Sequence, residues 1–394
     1  MIEAREFVEA AREREFRWYA GVPCSFLTPF INFVTQDPSL HYVSMANEGD
    51  AVALIAGVAL AGDARLAHRR GITMMQNSGL ANAMSPLTSL TWTFRLPQLL
   101  VVTWRGQPGF TDEPQHALMG PITPQLLAAM EIPWELFPSD AAGIAPALDR
   151  AIAHMETTGR PYALLMQRGS VAPYALRGEA CFPEPRPASV ARLAPSADRH
   201  ERPSRQEALR TVVAHVSERS TAVLASTGFC GRELYAIADR PNHLYMVGSM
   251  GCVVPLALGL AMARPDLDVL TLDGDGAALM RMGAFATAGA YAPPNFRHLL
   301  LDNASHESTG GQATVAPRVS FAGIAAACGY AESIESGDVA RIAEWLEAPR
   351  LRGPRFARLF IRAGTPADLP RPSISPVEVK TRLMNHFRAR PGAH

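Results

Sequence analysis

The segment 268–303, DVLTLDGDGAALMRMGAFATAGAYAPPNFRHLLLDN, constrains this chain more than any other. It reads as an apolar strand ending in Gly274-Asp275-Gly276, a helical run, and a second apolar strand ending in Asp302-Asn303. Two such strands joined by one helical crossover form a right-handed βαβ unit, so they lie parallel and side by side. Strands this apolar have no face to give to water, which implies a parallel sheet covered by helices on both sides. The two glycines let the backbone turn tightly and come close to a ligand. The helix opening after Gly276 offers free N–H groups to an anion. Asp275 and Asn303 are 28 positions apart, yet both fall at carboxyl ends of strands. A carboxylate and an amide placed there suit a hard cation such as Mg2+, shared with phosphate oxygens.

The same alternation runs through the whole chain. In the first half FRWYA, HYVSM, GITMMQ, QLLVVTW and PYALLMQ read as strands, with helical patterns over 28–34, 50–61, 80–90 and 141–155. Residues 178–205 hold five prolines and little periodicity, the composition of an exposed linker. Beyond it TAVLAS, HLYMVG, DVLTLDG, FRHLLLDN and FARLFIR read as strands, with helical patterns over 206–216, 253–263, 279–290 and 319–327. The expected fold class is α/β, with two doubly wound parallel-sheet domains over 1–177 and 206–372 and a basic tail over 373–394. Such sheets bind ligands at the carboxyl ends of their strands. The loops of interest are therefore GVPCS, ANEG, QNSG and WRGQPG in the first domain, and GSMG, GDGA and DNASHESTGGQ in the second.

Lys plus Arg and Asp plus Glu each number 37, a balance that gives no support for nucleic acid as a partner. Five scattered cysteines without a CxxC argue for a reducing compartment and against a zinc site or disulfide framework. The N-terminus is charged and helical in pattern, and no apolar run reaches the roughly 18–20 residues of a membrane span. A cytoplasmic protein without a membrane role is the expectation. No GxxxxGK[ST] is present, and no strand-linked GxGxxG with a suitable acid.

In ANEGDAVALIAGVALAG, Glu48 stands just ahead of a run without charge from Ala51 to Ala61. That setting predicts a buried carboxylate, which is costly unless paired or used. The plain alternative is a carboxylate complementing a helix N-terminus.

A GDG followed by Asn, with 26 residues between Gly276 and Asn303, resembles the signature of thiamine diphosphate enzymes. The resemblance implies that Asp275, Asn303 and the Ser305 carbonyl hold Mg2+. It implies that the Gly248 carbonyl accepts from the cofactor's 4′-amino group and that Met250 wedges its rings into a V. Ser249, Gly274, Gly276 and Ala277 complete the cofactor-binding loops. Glu48 is placed against the pyrimidine N1′, where it promotes proton transfer from the thiazolium carbon.

The longer strings GVPCSFLTPF, ANEGDAVALIAG, WRGQPGFTDEPQHALMG, VGSMG, GDGAALMRMGA and LLLDNASHESTGGQ run in order from about residue 18 to 330. Together they resemble the phosphonopyruvate decarboxylase family, of the two-domain type without a middle domain. The resemblance implies conversion of 3-phosphonopyruvate, a small 2-keto acid, to phosphonoacetaldehyde and CO2 in phosphonate biosynthesis. It also implies a homodimer or higher homo-oligomer with active sites at subunit interfaces. His116 and His306 are candidate proton carriers, because histidine titrates near neutrality. Ser25 is a candidate polar active-site group, and Arg105 suits a phosphonate or carboxylate. Ser25, Arg105 and His116 are thus the candidate substrate contacts, whereas Cys24 and Cys252 read as small packing residues. Sulfopyruvate decarboxylation is the close alternative. A carboligating 2-keto acid enzyme and a non-catalytic thiamine diphosphate-binding protein are more remote.

Overall fold

The computed structural model describes residues 1–62, 65–177, 188–193, 195–196 and 198–388. The chain divides into two compact units, Met1–Phe182 and Pro183–His394. Residues 178–187, 194 and 197 of the expected linker and 389–394 of the tail lie outside the described residues.

The first unit contains strands β1 (Phe16–Gly21), β2 (His41–Ser44), β3 (Arg70–Gln76), β4 (Leu99–Thr103), β5 (Trp134–Leu136) and β6 (Tyr162–Met166). They form one sheet in the order β2-β1-β3-β4-β6-β5, every pair parallel. All five residues of β4 are buried, as strands enclosed on both faces require. The helix Glu48–Leu60 returns from β2 to β3, and its residues from Gly49 onward are all buried. A helix apolar all round can only sit inside a core. Gly71 permits its close approach, since a Cβ there would lie 2.8 Å from Ile55.

The second unit contains β7 (Ser189–Arg192), β8 (Thr221–Ala225), β9 (His243–Tyr245), β10 (Asp268–Gly274), β11 (Phe296–Asp302), β12 (Glu332–Ser336) and β13 (Arg355–Phe360). Their order is β7-β12-β13-β11-β10-β8-β9, again all parallel. Several details differ from the sequence reading, among them β5 and β12, which it did not include. Within the stretch read as linker, Ser189–Arg192 pair with β12 as an exposed edge strand. The helix expected over 279–290 is two helices, Asp275–Met280 and Gly283–Tyr291, broken at Arg281. At the break Arg281 packs against Gly251, where a Cβ would be 2.5 Å from its Cγ.

Each sheet has a point where successive crossovers leave in opposite directions. In the second it falls between β8 and β10, because β9 lies on one side of β8 and β10 on the other. In the first it falls between β1 and β3. Loops diverge at such points and leave a crevice at the carboxyl edge.

Candidate active site

The crevice of the second sheet is a cavity of about 140 Å³ between the loops after β8 and β10. Thr227 and Gly228 line one side, Gly274, Asp275 and Gly276 another, and Met250, Asn303, Ser305 and His306 the remainder. A Cβ on Gly274 would meet nothing within 4 Å, so the turn is open there. At Gly276 a Cβ would run into the His306 ring and lie 3.2 Å from Met250 Cε. His306 and Met250, far apart in sequence, therefore converge on the GDG turn. The flanking loops hold Ser249 at φ 52°, Gly251 at φ 84° and Ala304 at φ 59°, all left-handed. Non-glycine residues persist in that region only where the surroundings hold them.

Asp275 is 3% exposed, and Thr314 Oγ1 donates to its Oδ2 at 2.5 Å. Burial, with the nearby Asp302 charge, pushes the Asp275 carboxyl up to about 6. Asn303 Oδ1 accepts from the Ser305 N–H at 2.9 Å. Asp302 itself is paired with Arg358, whose Nε lies 2.8 Å from Oδ2. A carboxylate that is desolvated and faces like charge lacks positive charge, and a hard cation supplies it. The oxygen donors of Asp275, Asn303 and Ser305 fit Mg2+ in this respect. Among the described residues no group of three or more His, Cys, Asp or Glu side chains could hold a metal, so this site would rely on amide and carbonyl oxygens beside one carboxylate.

The loop Ser226-Thr227-Gly228, which leads into the helix Phe229–Ile237, was missed from sequence. Its signal was present, since TAVLAS is a strand followed by Thr-Gly at the start of a helix.

In the first unit, Asn47 caps the helix Glu48–Leu60 by accepting from Gly49 N–H at 2.8 Å. Glu48 is half-buried, not buried as its sequence setting predicts; the buried carboxylate is Asp50. Asn82 donates to Glu48 Oε2 at 2.8 Å. A Cβ on Gly79 would lie 2.5 Å from Glu48 Cγ and 2.6 Å from Oε1, so the QNSG turn packs directly on the carboxylate. Buried Asn77 in the same turn donates to the Arg105 carbonyl at 2.8 Å and to Thr123 Oγ1 at 2.9 Å. The loops after β3 and β4 are thereby tied together.

Arg105, expected to meet a substrate anion, has two of its three guanidinium nitrogens on Asp112, at 2.8 Å from Nε and 2.5 Å from Nη2. Asp112 also accepts from Gly106 N–H at 2.7 Å and Glu113 N–H at 2.8 Å. Arg105 and these amides hold its carboxyl well below the usual carboxylate range. The pair clamps its own loop, with Nε and Nη2 engaged by Asp112. His116 is 3% exposed and its Nδ1 has no hydrogen-bond partner. Ser25 is exposed at the start of a 3-10 turn, on a groove of about 670 Å³ that also includes Arg168 and Tyr174. Cys24 and Cys252 are buried, the former 3.3 Å from Gln76 Oε1.

Fold and cavity together define a thiamine diphosphate-dependent enzyme. The family profile "Thiamine pyrophosphate enzyme, C-terminal TPP binding domain" matches residues 227–356, which include β10, β11 and the Gly274-Asp275-Gly276 turn between them. The benzoylformate decarboxylase structure from Polynucleobacter necessarius shares the fold at TM-score 0.66 and 12% identity, over 92% of this chain and 99% of that one. Phosphonopyruvate decarboxylases of Streptomyces viridochromogenes and Streptomyces hygroscopicus are 42% and 39% identical, over 97% of this chain and 94% and 93% of theirs. A sulfopyruvate decarboxylase of Methanosarcina acetivorans is 26% identical over 95% of each chain. The chain belongs to the phosphonopyruvate decarboxylase family.

Proposed function

We propose that this chain decarboxylates 3-phosphonopyruvate to phosphonoacetaldehyde and CO2, as a step of phosphonate biosynthesis, with Mg2+ beside the thiamine cofactor. The reading is carried by the buried Asp275 carboxyl on a glycine turn at the sheet's switch point, in a chain of this family. The chain has a single lysine, Lys380, in the helix Pro376–Arg388, so neither set of loops offers an amine for Schiff-base chemistry.

Asp275, Asn303 and the Ser305 carbonyl would hold Mg2+, with Thr314 orienting Asp275. Gly274 and Gly276 would let the backbone approach the diphosphate, aided by Ala277, Gly248 and Ser249, and Met250 would fix the ring geometry. Bound thiamine diphosphate supplies an electron sink for the pair released as CO2 departs. Glu48, fixed by Asn82 and Gly79, would hold a proton at the pyrimidine nitrogen. His306 is proposed to deliver a proton at the carbon that loses CO2, with His116 and Ser25 on the substrate side. Arg105 acts through its loop. A homodimer or higher homo-oligomer in the cytoplasm is proposed; among the described residues no helix is long and apolar enough to cross a membrane.

A substrate panel tests the reading. With thiamine diphosphate and Mg2+, kcat/KM for phosphonopyruvate should exceed that for sulfopyruvate or pyruvate by at least about 100-fold. Equal or faster use of sulfopyruvate would move the assignment to that acid. Full turnover after removal of both cofactor and metal would sink the cofactor assignment.

A further inference from the structure

A second crevice, of about 560 Å³, opens at the carboxyl edge of the second sheet, away from the switch point. Successive residues of a strand point to opposite faces. At the end of β11, Asn303 lines the cofactor cavity while Asp302 lines this crevice. The floor is Arg358, 4% exposed, bound to Asp302 and with Nη1 3.0 Å from Glu335 Oε1. It also donates to the Val319 carbonyl at 2.9 Å, so its charge and donors are committed.

The walls carry four further arginines: Arg192, Arg199, Arg202 and Arg318. Arg192 lies 3.9 Å from Glu335, which Arg358 already engages. Among the described residues, Arg199, Arg202 and Arg318 have no carboxylate within ion-pairing distance, and the Arg202 guanidinium donates to the Ser196 carbonyl, at 3.3 Å from each of two nitrogens. Arg202 and Arg358 both lie over the Phe360 ring, at 5.6 and 4.3 Å from its centroid. Burial first, then the like charges of Arg199 and Arg358, lower the Arg202 pKa against the opposing pull of Asp302. By contrast Arg205, in the same unit, is paired with Glu233 at 2.6 Å and with Glu307.

We propose that this crevice binds a small organic dianion carrying a phosphate or phosphonate group, separately from the cofactor cavity. Guanidinium forks match such oxyanions through paired donors, and several converging arginines favour a multiply charged ligand over a lone carboxylate. The inference rests on the arginine cluster and is independent of the decarboxylase reading.

Titration calorimetry of the full chain, loaded with thiamine diphosphate and Mg2+, tests it with phosphonoacetate, inorganic phosphate and acetate as probes. Phosphonoacetate should bind with Kd about 1 mM or tighter, and acetate much more weakly. The double variant Arg199→Glu/Arg318→Glu should weaken phosphonoacetate binding by at least about tenfold. Both side chains are exposed, so circular dichroism and decarboxylation without the probe should stay unchanged. Phosphonoacetate binding more tightly than inorganic phosphate supports an organic ligand; equal binding overturns that part and leaves a free-phosphate site. Equal affinity in wild type and double variant, or no saturable heat at about 10 mM, overturns the site itself.

Discussion

At Glu48 the carboxylate is fixed from two sides, by the Asn82 amide at 2.8 Å and by the space left where Gly79 has no side chain. Burial plays the smaller part, since the helix behind it is enclosed while the carboxylate is half-exposed. A methyl group at position 79 has to move Glu48, because its nearest contacts would be with Cγ and Oε1. Misplacement of a catalytic group by about 1 Å costs on the order of 100-fold in rate. Gly79→Ala should therefore lower kcat by roughly 10- to 100-fold while leaving Mg2+ binding unchanged. Steady-state kinetics beside a Mg2+ titration checks this; a wild-type kcat would show that the position of Glu48 is not critical.

Among the elements, the loop after β4 depends most on one ion pair. Asp112 satisfies Arg105 and two backbone N–H groups together, and the two side chains are 16% and 15% exposed. Asp112→Asn removes the charge while keeping the shape, leaving a half-buried guanidinium uncompensated. The expected loss is about 1–3 kcal/mol, read as a lower urea midpoint at unchanged slope. A midpoint equal to wild type would mean that the loop is held by Asn77 instead. Elements with a plain periodic signal were legible: β8, β10 and β11 are apolar runs, and the helix Val253–Ala263 matches its sequence pattern. The strand β12 was not, because ESIES carries acids and serines on what becomes a buried strand. Its Glu335 is neutralised there by Arg358 on the neighbouring strand and accepts from the Ala322 N–H at 3.1 Å. The three-residue β5 is too short for alternation to register.

Across the whole molecule, both sheets present their functional loops at a switch point, and the Asp275 carboxyl links that site to global stability. Its pKa is raised to about 6 from an ordinary 3.8, so the native state holds this proton more tightly than the unfolded chain. Stability from this group is complete below about pH 4, falls as pH rises to about 6, and is flat above. Metal-free Asp275→Asn should be more stable than metal-free wild type at pH 7, by up to about 3 kcal/mol. The gap should close towards pH 4. With Mg2+ and thiamine diphosphate the order should reverse, because ligand binding to the native state stabilises wild type. Melts at pH 4, 5.5 and 7, with and without both ligands, decide it. A wild type that gains on the variant as pH rises without metal would show that Asp275 is not held in a site short of positive charge.

The sequence by itself determined the parallel α/β class and the placement of Glu48, Gly274-Asp275-Gly276 and Asn303 at strand ends. These follow from local periodicity and glycine turns, which operate over a few residues. It also carried the family resemblance, through long ordered strings. Only the tertiary structure decided which charges are free. Thr314 reaches Asp275 across 39 positions and Arg358 reaches Asp302 across 56, pairings that no local pattern encodes. It set Arg105 on Asp112, brought Gly79 against Glu48, and, among the described residues, left Arg199, Arg202 and Arg318 without an acid partner. Electrostatic compensation depends on distance in space, and that distance exists only once the strands have taken their order in the sheet.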